Sequence, residues 1–158
     1  MSPANASTVA HPDQTGTLDL DRLRQSLTRQ GYAFVDDEDR PDALRARFED
    51  YRFQFLLLNE GTVLQIRGRW SRCLDVERKV EMLKLCNEWN MNRVWPKVYV
   101  RRESDEAIRL YGEVASDFLL GADDARIDRA VRCALTTVIR FFHEVEERLG
   151  AEVAELEL

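Results

Sequence analysis

Few residues in this 158-residue sequence are of the types that do covalent or acid–base chemistry, and their spacing argues against an enzyme. His143 lies on the polar side of a helical pattern beside Glu144, Glu146 and Glu147, and His11 sits in a polar N-terminal stretch. A general base must have an acid or nucleophile within hydrogen-bond reach, and neither GxSxG, a phosphate-cradling glycine loop nor HExxH is present to supply one. The cysteines Cys73, Cys86 and Cys133 are odd in number and show no CxxC spacing. A disulfide framework or zinc site is therefore not expected, and the three read as core or boundary residues in a reducing, cytoplasmic setting. The run Asp36-Asp37-Glu38-Asp39 has the oxygens for calcium. It lacks the glycine and terminal glutamate of an EF-hand loop, so it reads as solvated charge. No catalytic residue, metal or cofactor is expected.

Composition narrows the partners. Net charge is -6 with a pI near 5.1, which opposes general nucleic-acid binding because phosphate recognition needs a net positive footprint. Hydrophobic residues make up 44% and charged residues 33%, an ordinary globular balance at a length that suits one domain. The opening MSPANASTVAHPDQTG has no apolar core or basic start, so no signal peptide is expected, and no apolar run is long enough to span a membrane.

The elements that must position any site follow from periodicity. Residues 1–16 read as a disordered tail. Thr17 is placed to cap a first helix carrying Leu20, Leu23 and Leu27, ended by Gly31. "YAFVDDEDRPD" reads as a short strand and acidic loop, and "ALRARFED" and "RFQFLLL" as a hairpin turning at Glu49–Tyr51. After the turn "NEG", "TVLQIRGRW" forms a strand with Leu64, Ile66, Gly68 and Trp70 on one face and Gln65, Arg67 and Arg69 on the other. A helix from about Asp75 to Asn92, strands "KVYVRRE" and "IRLYGEVASDF", and a last helix capped by Asp123 or Asp124 complete the chain. Ile127, Val131, Ala134, Val138, Phe141, Phe142, Val145 and Leu149 give that helix an unbroken apolar stripe, with Gly150 as its end and 151–158 as an acidic tail. The main order α-β-β-β-α-β-β-α predicts an α+β fold with an antiparallel sheet flanked by helices.

The densest stretch is "LCNEWNMNRVWPKVYVRRE", residues 85–103. On a helical wheel Val76, Val80, Leu83, Asn87 and Asn90 share one side, and Met82, Leu85 and Trp89 the nearly opposite side. A helix on the surface of a monomer requires one apolar stripe, and this one has two. The expectation is that the first faces the sheet, with Asn87 buried and bonded to backbone at the helix-to-strand joint. Met82, Leu85 and Trp89 would then be the dimer or client patch. Asn90 and Asn92 suit the helix end, and Pro96 starts the next strand.

"LQIRGRW", "LCNEWNMNRVWPKVYV" and "LYGEVASDF" together resemble the YbjN family, also called bacterial sensory transduction regulators. The spaced motif GRW…CNEWN…WPK carries the resemblance, which covers about residues 18–149. It implies a fold similar to type III secretion chaperones, a curved antiparallel sheet flanked by helices and usually dimeric. It implies no catalytic residues. The domain is accordingly taken as residues 17–150.

Strand alternation gathers Arg45, Arg47, Gln54, Gln65, Arg67, Arg69, Lys97, Tyr99, Arg101, Tyr111 and Glu113 on the sheet face away from the core. Among these, Arg67, Arg69, Lys97, Tyr99, Arg101 and Tyr111 are the expected partner-binding residues, since long basic chains and tyrosines suit an acidic protein segment. The plainer reading of the same face is cross-strand ion pairs in solvent. The sequence thus points to a cytoplasmic, non-enzymatic, chaperone-like or regulatory domain that binds a protein partner, as a homodimer. The alternative is a regulator sensing a small molecule or nucleotide on the same face.

Overall fold

The computed structural model describes residues 16–156. In chain order it comprises α1 (Leu20–Arg29), β1 (Phe34–Asp36), β2 (Ala43–Phe48), β3 (Tyr51–Leu58), β4 (Val63–Arg69), β5 (Leu74–Asp75), a single 3-10 turn (Val76–Arg78), α2 (Lys79–Asn92), β6 (Lys97–Arg102), β7 (Ala107–Asp117) and α3 (Asp124–Leu156). The fold is α+β: seven antiparallel strands in one unclosed sheet with three helices. Only β5 has no counterpart in the sequence reading. Strands β1 to β4 are neighbours in sequence order, and β4 then pairs with β7. Ile108 of β7 is matched both to Leu74 of β5 and to Arg102 of β6. A strand has two edges, so β5 continues the β4 side while β6 lines the other.

Local sequence sets the register. Phe48 pairs with Tyr51, leaving Glu49 and Asp50 as a two-residue turn with Glu49 at φ 53°. Leu64, Ile66 and Trp70 are buried with Phe53 and Phe55, in one core with Val131, Val138, Phe141 and Phe142 of α3. Burying each such side chain contributes about 1.5–3 kcal/mol. Gly68 and Gly112 face each other directly across β4 and β7. A Cβ built on Gly68 would lie 2.5 Å from Val138 Cγ1, and one on Gly112 3.2 Å from the same atom. The two glycines therefore form a notch into which α3 settles. Glu146 ties helix to sheet, accepting from Trp70 Nε1 and from the Tyr51 hydroxyl, each at 3.0 Å.

Several sequence readings are corrected. The α1 cap is Asp19, whose carboxylate accepts from the Arg22 amide at 2.8 Å; Thr17 lies a further two residues out. Gly31 ends the α1 region as expected, at φ 75°. Helix α3 is capped by Asp123 and runs through Gly150 to Leu156. One glycine costs a helix only about 1 kcal/mol and does not by itself stop it. Gly16, the end of the expected tail, is bridged to Ala122. The rest of that tail, with His11, and residues 157–158 lie outside the described residues.

The largest correction concerns α2, which turns the second of its apolar sides inward, contrary to the expected phase. Met82 is 1% and Trp89 8% exposed, Cys86 is buried and Leu85 half-buried. Val80, Leu83 and Asn87 face out. Met82, Leu85 and Trp89 are thus packing residues of this chain and not an open patch. The physical reason is area: a tryptophan, a leucine and a methionine withdraw more apolar surface than two valines and a leucine. Trp89 also stacks edge-on against Phe141 at 5.0 Å and donates from Nε1 to the Pro96 carbonyl at 3.2 Å.

Candidate functional site

The outer face of the sheet carries the charged and aromatic groups that alternation placed there. Cross-strand register arranges them in two rows, Arg45–Gln54–Arg67–Glu113–Lys97 and Arg47–Arg52–Arg69–Tyr111–Tyr99, running across β2, β3, β4, β7 and β6. All six expected partner-binding residues lie on this face, though not equally free. Tyr99 and Tyr111 stack with centroids 5.6 Å apart and planes 6° from parallel. Lys97 lies 5.5 Å over Tyr99 and Arg101 5.3 Å over Tyr111, a cation–π arrangement on both rings.

Two carboxylates organise the face. Glu113 accepts from Lys97 Nζ and the Tyr99 hydroxyl, each at 2.8 Å, and from Arg67 Nε at 3.2 Å. Burial pushes its carboxyl up, but hydrogen bonds from Lys97, Tyr99 and Arg67 outweigh this and hold it below the ordinary glutamate value. Burial together with Glu113 in turn raises the Tyr99 phenol. Glu103 accepts from the Tyr111 hydroxyl at 2.6 Å and from Arg69 at 3.2 Å, with Arg109 Nε 3.7 Å away. Burial raises its carboxyl, and Tyr111 and the arginines bring it below normal.

Arg67, Arg69 and Lys97 are therefore partly neutralised within the chain, whereas exposed Arg101 makes no ion pair among the described residues. The face borders an open groove of about 500 Å³ whose lining includes Arg45, Arg52, Arg67, Arg101 and Tyr111.

Several residues of this region were not legible beforehand. Glu103, the last residue of the expected strand KVYVRRE, lies just past the end of β6, and only the folded register brings it to Tyr111 and Arg69. Asp37, read as part of a solvated run, is 8% exposed; it accepts from Gln54 at 2.8 Å and lies 3.7 Å from Arg45 Nε. The Gln54 hydrogen bond is the main cause that lowers its carboxyl. Asn90 does what was expected of Asn87. Its carboxamide donates to the Val98 carbonyl at 2.9 Å and accepts from the Val98 amide at 3.0 Å, clamping α2 to β6.

Other reactive groups are accounted for locally. His143 pairs with Glu49 at 2.7 Å on the surface. Burial pushes the Cys86 thiol up to about 12, so it carries negligible thiolate at neutral pH. Among the described residues no group of three or more His, Cys, Asp or Glu is placed to hold a metal ion, and no helix is long and apolar enough to cross a membrane.

The YbjN sequence profile, described as "Putative bacterial sensory transduction regulator", matches residues 19–147. The chain belongs to the YbjN family. A crystal structure of YbjN from E. coli, described as a putative transcription regulator, superposes with a TM-score of 0.70 at 14% identity, covering 85% of this chain and 96% of that one. At that identity the likeness to the E. coli YbjN shows a shared fold. No match is found among curated proteins. In this chain the stretch Gly68-Arg69-Trp70 falls at the notch and at the Glu146-anchored Trp70, and Asn87-Glu88-Trp89-Asn90 at the α2–β6 joint, so both stretches dock helices on the sheet.

Proposed function

We propose that this YbjN-family chain is a cytoplasmic, non-enzymatic regulatory domain that binds an acidic segment of a protein partner on the outer sheet face. The observation that carries this reading is the stacked Tyr99–Tyr111 pair flanked by Lys97 and Arg101, beside an open basic groove, in a chain of net charge -6. An aromatic platform with exposed cations supplies contact area and charge attraction at one place. The acidic remainder repels a long polyanion, which favours a short acidic protein segment over DNA and makes regulation through a protein the preferred route. Arg67, Arg69 and Tyr111, held by Glu113 and Glu103, shape the platform, with exposed Lys97 paired to Glu113, while Arg101 offers charge that no ion pair among the described residues takes up.

The chain acts as a homodimer in this reading, through the outer face of α2 and the loop after it. Val80, Leu83, Met91, Val94 and Trp95 are all exposed there, Met91 at 85% and Trp95 at 53%. Large apolar side chains exposed together on one helix and its following loop suit an interface with a second copy.

Affinity capture from native lysate tests the partner reading. A stoichiometric protein should be retained, released as salt rises, and lost in a folded Lys97→Glu/Arg101→Glu variant. Retention by that variant refutes the sheet-face site. A copurifying small molecule in place of a protein would favour the alternative of a ligand-sensing regulator, for which the 500 Å³ groove provides room.

A further inference from the structure

Along the same row as the Tyr99–Tyr111 pair, toward β2, three arginines stand side by side. Arg47 is matched to Arg52 and Arg52 to Arg69 on consecutive strands. Like charges directly opposite one another destabilise a sheet. Partial relief comes from Asp50, 3.2 Å from Arg47, and Glu103, 3.2 Å from Arg69. Arg52, at the centre, makes no hydrogen bond or ion pair among the described residues. Arg109 adds a fourth guanidinium. It is held rigidly by donating to the Trp70 carbonyl at 2.7 Å and to Cys73 Sγ at 2.8 Å. The buried Nε donors of Arg69 and Arg109 lack a hydrogen-bond acceptor among the described residues. Together with Arg72, these side chains line a groove of about 360 Å³ whose one carboxylate is Asp50.

We infer that this groove is a binding site for a compact phosphate-bearing anion, of the size of diphosphate or the diphosphate end of a nucleotide. Forked guanidinium donors match phosphate oxygens two at a time, and converging arginines from separate strands surround such a group as no single one can. A dianion at the centre of the row would convert a repulsive arrangement into an attractive one. The one aromatic residue of the groove, Trp70, is fully buried and spends its N–H on Glu146. The groove therefore recognises the anionic group and offers no ring for a base to stack on. The site adjoins the partner platform, sharing Arg52 and Arg69 with its groove, but Lys97, Tyr99 and Arg101, on which the partner reading rests, do not line it.

Thermal unfolding of the full chain tests it, with inorganic diphosphate as probe against sodium chloride at equal ionic strength. Millimolar diphosphate should raise Tm by about 3 °C or more over the chloride control. Arg52→Gln and Arg47→Gln, both exposed positions, should fold, should melt at or above the wild-type temperature in chloride, and should lose the diphosphate shift. Arg129→Gln, on the exposed side of α3, should keep it. ADP shifting Tm no more than diphosphate would support recognition of the anionic group alone, and a larger shift would support a nucleotide as its source. No shift beyond chloride, a shift retained by Arg52→Gln, or one lost in Arg129→Gln would overturn the proposal. A short DNA duplex as effective as diphosphate at equal phosphate would also overturn it, in favour of nucleic-acid binding.

Discussion

Replacing Asn90 with alanine removes a side chain that bonds Val98 in both directions, at 2.9 and 3.0 Å. Strand β6 pairs only with β7 among the described elements, so the two Val98 groups have no other strand to turn to. Each net hydrogen bond is worth about 0.5–1.5 kcal/mol, and losing both should cost about 1–3 kcal/mol. For a domain of this size that lowers Tm by roughly 3–10 °C. Urea unfolding should show a lower midpoint with an unchanged slope. Asn87→Ala, at an exposed position three residues earlier, should stay within about 0.5 kcal/mol of wild type.

Asn90→Asp separates the donor from the acceptor. A carboxylate can still accept from the Val98 amide, but its second oxygen then opposes the Val98 carbonyl. At pH 7 this variant should be at least as unstable as Asn90→Ala. The fold disfavours its charged form, which raises its folded pKa, so its deficit relative to wild type should shrink as pH falls toward about 4. Equal effects of Asn90→Ala and Asn87→Ala would refute the clamp. An aspartate variant as stable as wild type at pH 7 would refute two-way bonding.

Two further outcomes follow from the same geometry. Light scattering should find a dimer at micromolar concentration, and Leu83→Glu/Trp95→Glu should make it a monomer with an unchanged circular dichroism spectrum; a monomeric wild type would remove the α2 interface. Because the Glu113 carboxyl is held below its ordinary value, its stabilisation is complete above about pH 4.5 and lost as pH falls through the folded pKa. Glu113→Gln should therefore be about 1–3 kcal/mol less stable than wild type at pH 7, with the gap closing below about pH 4.5; a gap independent of pH would exclude charge as its source.

What the sequence disclosed and what it withheld divide along physical lines. Strand faces were readable because period-two alternation in β4 admits one solution: Leu64, Ile66, Gly68 and Trp70 inward, Gln65, Arg67 and Arg69 outward. The stripe of α3 was equally plain. Helix α2 carried two apolar sides, and periodicity gives their angular separation without saying which is inward. That was decided by Trp89 against Phe141 and by the Asn90 clamp, both contacts made across the fold. The α1 cap was misplaced by two residues because Thr17 and Asp19 are both good caps. Membership of the arginine row depends on the turn at Glu49 and Asp50, since a register slip of one residue would send Arg52 to the other face. Glu103 ended the expected strand KVYVRRE, on the alternation face of Lys97, Tyr99 and Arg101, but its role was not read because only the folded register brings Tyr111 and Arg69 to it.

The notch formed by Gly68 and Gly112 beneath Val138 makes three positions far apart in sequence answer to one volume. A methyl group at 68 and a side chain as large as valine at 138 compete for the same space. Any relative that lost the glycine would have to shrink the helix residue or lift the helix, and lifting it would strain the Glu146 bonds to Trp70 and Tyr51 eight residues further along α3. Sequence change at this place should therefore be correlated, with small residues at 138 wherever 68 has gained a side chain. The glycine of the GRW motif is in this sense a record of how deeply the last helix sits.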